Sequence, residues 1–361
     1  MIKKEEQQYD FKPLSWWREL LLKEEDLSEY YRKKREYQFN KGELLKGMKW
    51  KDILHPILLE LMTLNRKFID KQTLKILKDE RNSNLENKPV IYAITHIGKF
   101  DYQIVSEAIR DHQYPFAGDP ETMYRSADGL LLALNGIVMC DTESKMDREI
   151  ASATSIEVLH NGKNLLIYPE GVWNITSDLL CLPLFPGIIK MAHETGCDIV
   201  PVAIEQYGND FIVNIGSNYS IGIDSHEMIK DEEIEQKKEE LRDILATLKW
   251  QIMETIPSVK RTDLGTYEEE LENFQSEILN EWVNPKTGIP YYNLEIIKHR
   301  TFKPKNVSLA ADVYKYFKDI KLNKNNAFMF RKDSALPLEI QRHIMNELND
   351  YFDEEDYKKI R

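Results

Sequence analysis

His96 and Asp101 stand five positions apart in VIYAITHIGKFD, the stretch from Val90 to Asp101, with Gly98 and Lys99 between them. An imidazole beside a carboxylate can do general base chemistry. The carboxylate accepts the Nδ1 proton and fixes the tautomer, and Nε2 is left to take a proton from an attacking hydroxyl. Five positions along a regular helix would turn the two side chains well away from each other. The pair therefore needs a turn between them. Spacing alone does not single it out, because His193/Asp198 and His226/Asp231 repeat it. His193 falls near the end of a helical stretch that Gly196 closes, and His226 opens an acidic, lysine-rich surface segment. Only His96 follows an apolar, strand-like run, Val90–Ile94, and so sits where α/β folds carry their chemistry, beyond the carboxyl end of a strand.

The elements that must hold this turn alternate along the chain. After the first strand and the helix YQIVSEAI come the strand YPFAG, the segment ETMYRSADGLLLAL and the strand GIVMC. A helix through MDREIASATSIEVLHN stops at Gly162, and the strand NLLIY runs into Pro169-Glu170-Gly171. The helix GIIKMAHET and the strands DIVPVAI and FIVNIG complete the series. Such alternation predicts an α/β fold, a largely parallel sheet covered by helices. Residues 1–88 read as a helical N-terminal extension, 89–224 as the α/β core and 225–361 as a mostly helical C-terminal region. The stretch 51–80, with ILHPILLELMTLNRKFI, is expected to be one apolar helical segment. Long amphipathic helices are expected at DEEIEQKKEELRDILATLKWQIMETI and YEEELENFQSEILNEW, with further helices in the tail beyond Pro285.

A chain of 361 residues with 42% hydrophobic and 30% charged residues is ordinary for a globular protein. The net charge of −12 argues against a general nucleic-acid binder. Cys140, Cys181 and Cys197 show no metal-like spacing, so no metal and a reducing, cytoplasmic location are expected. MIKKEEQQYDFK lacks the apolar centre of a signal peptide, and glycine, asparagine or proline interrupts every long apolar run. Attachment to a membrane surface is another matter. Trp16, Trp17, Leu20 and Leu21, with the basic run Arg32–Arg35 after them, have the composition of an interfacial anchor, and equally that of a helix docked on the core.

The blocks THIGKFD, GIVMCDT, YPEG and IVPVAI, in this order, resemble the four motif blocks of the glycerolipid acyltransferases, the lysophosphatidate acyltransferase family. The resemblance covers roughly residues 88–216. It implies transfer of a fatty acyl group from a thioester of coenzyme A or acyl carrier protein to a hydroxyl of a glycerophosphate, lysolipid or glycolipid. His96 would be the base and Asp101 its orienting partner. No cofactor is implied beyond the acyl donor itself. Backbone N–H groups near Gly98 are candidates for the oxyanion site. Glu170 and Gly171 match the block that shapes the acceptor pocket, and Pro201 matches the block on the acyl side.

The chain departs from the family pattern at three places. Thr95 stands where asparagine is usual and Gly98 where serine is usual. Thr142 replaces an arginine that holds the acceptor phosphate, and Val172-Trp173 replace a hydroxyl residue and a second arginine. Lys99, Arg125, Lys145, Arg148 and Lys190 are the candidate substitutes for the missing cations. Trp173 would otherwise suit a bulkier or less charged acceptor. Two other readings stay open on sequence grounds: a thioester hydrolase using the same pair on water, and a non-catalytic lipid-binding relative.

Overall fold

The computed structural model describes residues 11–255, apart from residues 20, 47, 83–87, 99, 119–126, 143, 172–173, 175–179 and 208. Its centre is a seven-stranded sheet of order β1-β7-β6-β2-β5-β3-β4, formed by β1 Thr73–Asp79, β2 Ile91–Ile94, β3 Gln113–Gly118, β4 Val138–Cys140, β5 Asn164–Ile167, β6 Ile199–Tyr207 and β7 Asp210–Ile215. Every neighbouring pair is parallel except β6 with β7. The α/β, largely parallel architecture is the one expected.

Burial explains why the central strands read as continuous apolar runs. All four residues of β2 are buried, so both faces of the strand carry apolar side chains. Ile91 and Ala93 enter one core, with residues of helices α6 (Lys145–His160), α7 (Gly187–Thr195) and α8 (Asp231–Glu254). Tyr92 and Ile94 enter the other, with Ile104, Val105, Ala108 and Ile109 of α4 (Asp101–Ile109). The alternation is the period-two geometry of a strand. It fixes the register of β2, and with it the position of the residues that follow.

Three helices precede β1: α1 Trp16–Glu19, α2 Glu24–Lys41 and α3 Met48–Leu64, the last continued by a π-helical turn, Asn65–Ile69. Asp147 at the start of α6 accepts from Arg35 of α2 at both oxygens, 2.9 and 2.7 Å, which ties α2 to the core. A short α5, Ala127–Asn135, packs beside α3.

The reading of 51–80 as one helical segment needs correction. Helix ends at Ile69, Lys71 adopts φ 53°, and Thr73–Asp79 is an edge strand paired in parallel with β7. Only one edge of β1 is bonded and its surface is largely exposed, so a lysine-rich sequence is tolerated there. At the other end, α8 packs on β6 and β7. The helix expected at YEEELENFQSEILNEW and those of the tail lie outside the described residues. Among the described residues, no helix is long and apolar enough to cross a membrane, and no group of three histidine, cysteine or acidic side chains is placed to hold a metal.

Candidate active site

The carboxyl ends of β2 and β5 lie level, because Ala93 pairs with Ile167. The segments leaving them, Thr95–Phe100 and Tyr168–Gly171, are therefore neighbours. Thr95 is fully buried. Its N–H donates to the Val202 carbonyl at 3.1 Å, and its Oγ1 accepts from Ile204 N–H at 3.0 Å. A hydroxyl in this position binds the end of β2 to β6 and sets where His96 begins.

His96 Nδ1 lies 2.8 Å from Asp101 Oδ2, the first residue of α4. The same oxygen accepts from the N–H groups of Ile97 at 2.6 Å and Gly98 at 3.0 Å. A carboxylate oxygen only accepts, so Nδ1 carries the proton and Nε2 is the basic nitrogen. Asp101 is almost completely buried, whereas His96 keeps part of its side chain at the surface. The turn that the spacing required is thus closed by the carboxylate itself.

Two contacts hold His96 from outside the turn, one on its ring and one on its backbone. The ring of Tyr168 stacks on it, with centroids 4.1 Å apart and planes inclined by 22°. Glu170 Oε1 accepts from the His96 N–H at 2.9 Å, and Oε2 accepts from Leu182 N–H at 2.7 Å. Glu170 is itself held in a turn that Gly171 closes by donating to the Tyr168 carbonyl at 2.9 Å, with Gly171 at φ 70°. Burial raises the Glu170 pKa, opposed by Lys249 and by the two N–H donors. The His96 carbonyl accepts from Asn174 N–H at 2.6 Å.

This arrangement bears on two expectations. Among the backbone N–H groups near Gly98 that were candidates for the oxyanion site, that of Gly98 itself is directed at Asp101. Glu170, carried over as part of the block that shapes the acceptor pocket, turns both of its oxygens to backbone N–H groups and so braces His96. Tyr168 is the site residue that sequence reasoning missed. Its signal was present, as the aromatic residue directly before Pro169-Glu170-Gly171.

Further along the same sheet edge, Thr142 follows β4 and is exposed, and its carbonyl accepts from Arg148 Nη1. β4 is three strands from β2, about 14 Å at the usual strand spacing. Arg148 is therefore the described cation that joins Thr142, while His96, Asp101, Glu170 and Gly171 form one cluster. Lys99, Arg125 and Trp173 lie outside the described residues. Pro201 is buried within β6, opposite Ala93 of β2. The histidines that share the spacing do other work. His193 Nε2 lies 3.0 Å from the Asp224 carbonyl, at the end of α7 that leads into the start of β6 and so at the opposite edge of the sheet. His226 is exposed.

The α/β sheet presents a buried Asp101, a part-exposed His96 and a braced Pro-Glu-Gly turn at adjoining strand ends, an arrangement whose chemistry is compatible with proton abstraction. Comparisons with known proteins show what the chain is similar to. Residues 76–205 match the family model described as Acyltransferase. A stretch of 134 residues is 32% identical to a 1-acyl-sn-glycerol-3-phosphate acyltransferase of Borreliella burgdorferi, covering 36% of this chain. The chain spans about half of that relative, 52% of its length. A solved structure of the 1-acyl-sn-glycerophosphate acyltransferase PlsC from Thermotoga maritima aligns with a TM-score of 0.41 and 15% identity, over 67% of this chain and 88% of that one. Residues 76–205 are thus the part of the chain that is similar to acyltransferases.

Proposed function

We propose that the protein transfers a fatty acyl group from a thioester, carried by coenzyme A or acyl carrier protein, to a hydroxyl of a lipid or lipid-precursor acceptor. The observation that carries this reading is the His96–Asp101 pair, held at the strand end by Glu170 and Tyr168 inside a region matched to the acyltransferase family. His96 Nε2 takes the proton of the acceptor hydroxyl as its oxygen attacks the thioester carbonyl. The C–S bond then breaks, the ester remains on the acceptor, and the departing sulfur takes the proton back from the imidazolium. Asp101 keeps Nδ1 protonated throughout and stabilises the transient cation. No nucleophilic serine or cysteine takes part. Cys181 is buried, and burial raises the pKa of its thiol, which disfavours the thiolate.

The matched relative's name points to a lysophosphatidate-type acceptor, and exposed Arg148 beside Thr142 supports an anionic group on it. A membrane surface that supplies the acceptor belongs to the same reading. The test is incubation of the full chain with labelled acyl-coenzyme A or acyl carrier protein and a panel of glycerophosphates, lysolipids and glycolipids, read by mass spectrometry. An acylated product that disappears in His96→Ala is the expected result. Release of free fatty acid at the same rate with and without acceptor would make the protein a hydrolase instead.

A further inference from the structure

Helix α3 buries Leu58 and Leu59 but leaves Ile53, Ile57 and Leu61 exposed, so it is apolar on two sides. Apolar burial alone does little to choose the side that faces the core, and polar contacts make the choice. At the first half of the helix they centre on two histidines. The rings of His55 and His112 stack with centroids 4.3 Å apart and planes inclined by 20°, and Tyr114 of β3 stacks on His112 at 5.0 Å. Asn135, the last residue of α5, joins the pair. Its Nδ2 donates to the Tyr102 hydroxyl at 2.7 Å and to the Gln113 carbonyl at 3.2 Å. Its Oδ1 is therefore an acceptor, and His55 Nδ1 donates to it at 2.7 Å. His112 turns Nε2 to the Asn135 carbonyl at 2.8 Å and Nδ1 to Asp52 of α3 at 2.9 Å. Lys163 reaches the other Asp52 oxygen at 2.7 Å. His55 is buried, and among the described residues its Nε2 has no partner.

We propose that this cluster is an acid-sensitive clamp. It holds the first half of α3 and the end of α5 on the core while at most one of the two imidazoles is charged, and releases them when both are. Around the pair, α3 brings Asp52, the turn before β5 brings Lys163, β3 brings Tyr114, α4 brings Tyr102 and α5 brings the uncharged Asn135. Asp52 can support one imidazolium, and Lys163 already shares it. Nδ1 of His55 is protonated in the neutral ring, so a further proton must go to Nε2, which is buried and faces no acceptor. It would also stand 4.3 Å from a first cation where little water screens the repulsion. Burial lowers the His112 pKa and the His55 ring adds to that effect, while the Asn135 carbonyl and Asp52 oppose it. The opened segment has no such limit, and takes both protons below about pH 6.5. The open state thus binds more protons than the closed one. Closure weakens as pH falls through that value, by up to about tenfold in population per pH unit. The far end of α3 is tied without histidine, by Arg66 to Glu107 at 2.6 and 2.8 Å and by Gln103 Nε2 to the Met62 carbonyl at 2.7 Å. Opening is confined to the end that carries Asp52 and His55.

Hydrogen exchange of the full chain, read by mass spectrometry and corrected for the intrinsic effect of pH, tests this without any turnover. Peptides covering 48–57 and 127–135 should open about tenfold more at pH 5.5 than at pH 7.5, while those of β2 and β5 should not change. His55→Asn keeps a donor for Asn135 and cannot take up a proton, so the ratio between the two pH values should fall to about threefold or less. Leu59→Ala weakens the packing of α3 without touching a titrating group, and should raise exchange at both pH values by the same factor. A wild-type ratio near one overturns the proposal. So does a ratio that His55→Asn leaves intact, or one that Leu59→Ala lowers as far as His55→Asn does. If His55→Asn does not fold, nitrogen-15 spectra of the wild-type histidines decide. One ring of the pair should remain neutral in the folded protein at pH 5.5, and two folded imidazolium signals from His55 and His112 would overturn the clamp.

Discussion

Replacing Asp101 by asparagine removes a charge while leaving an oxygen where three donors converge. Oδ2 accepts from His96 Nδ1 at 2.8 Å, from Ile97 N–H at 2.6 Å and from Gly98 N–H at 3.0 Å. The amide oxygen can occupy that place and keep the two backbone bonds, so the turn holds. What is lost is the attraction between the carboxylate and the imidazolium formed when Nε2 takes the hydroxyl proton. For charge centres about 4 Å apart in a partly buried site, an effective dielectric near 20 gives about 4 kcal/mol. That corresponds to roughly a thousandfold in rate. The assay is kcat at saturating donor and acceptor, followed by thiol release, with the urea midpoint measured on the same sample. Asp101→Asn should lose close to three orders of magnitude in kcat with little change in KM or midpoint, because the interaction exists only once the cation forms. Asp101→Ala provides the contrast. It leaves buried donors without an acceptor, at about 1–3 kcal/mol each, and its midpoint should fall as well. Retention of more than a tenth of wild-type kcat by a stable Asp101→Asn protein would refute the assigned role.

Other perturbations test the supports. Tyr168→Leu removes the ring stacked on His96 and should lower kcat by roughly two- to tenfold, about what a ring pair contributes, with KM nearly unchanged; an unaltered kcat would mean the stack does not orient the base. Glu170 carries a pKa raised from 4.5, chiefly by burial. The folded protein therefore keeps that proton at a pH where the unfolded chain has lost it, and wild-type stability falls as pH rises above 4.5, by at most about 1.4 kcal/mol per unit. Glu170→Gln has no such slope, so urea midpoints at a series of pH values should show the wild-type advantage shrinking from pH 4.5 toward neutrality; a constant gap would contradict the direction of the shift. Arg66→Met strands the buried Glu107 carboxylate and should cost about 3–5 kcal/mol in chemical denaturation, and a loss below 1 kcal/mol would show that Glu107 finds water instead.

The strands from β2 to β7 were legible in the sequence because burial on both faces turns a strand into a short apolar run, and 90–94, 136–140, 164–168 and 211–216 are such runs. β1 was not legible. It is an edge strand whose sequence, TLKILKD, carries charge where nothing covers it, and the break before it falls at Lys71 in a left-handed conformation with no glycine to announce it. His96 and Asp101 were found from position, since one follows a strand and the other begins a helix. The Glu170 brace was hidden because its partners are backbone N–H groups, one of them 74 residues away, and a backbone donor leaves no mark on residue type. In α3 the apolar period was plain, but periodicity cannot say which of two apolar sides meets the core. That depended on where His55, Asp52 and Arg66 found partners, and all three lie across tertiary contacts.

The same reasoning extends the unit that fixes His96 beyond the matched residues 76–205. Arg242 of α8 donates from Nε to the Cys181 carbonyl at 3.1 Å. The next residue, Leu182, donates its N–H to Glu170, and Glu170 holds the His96 N–H. Phe185 N–H donates to the Pro169 carbonyl at 2.8 Å and fastens the same turn from its other end. About two turns further along the same face, Lys249 Nζ lies 2.8 Å from Glu205 Oε1 of β6, both side chains nearly inaccessible, and its charge opposes the effect of burial on Glu170. A carboxylate enclosed as fully as Glu170 is costly to ionise, and donors and a nearby cation lower that cost. Its donors come from His96 and Leu182, and the cation comes from α8. The helix expected from its sequence to be amphipathic thus carries on its buried side groups that oppose the effect of burial on the brace and help to seat it. The contacts that hold His96 therefore extend into α8.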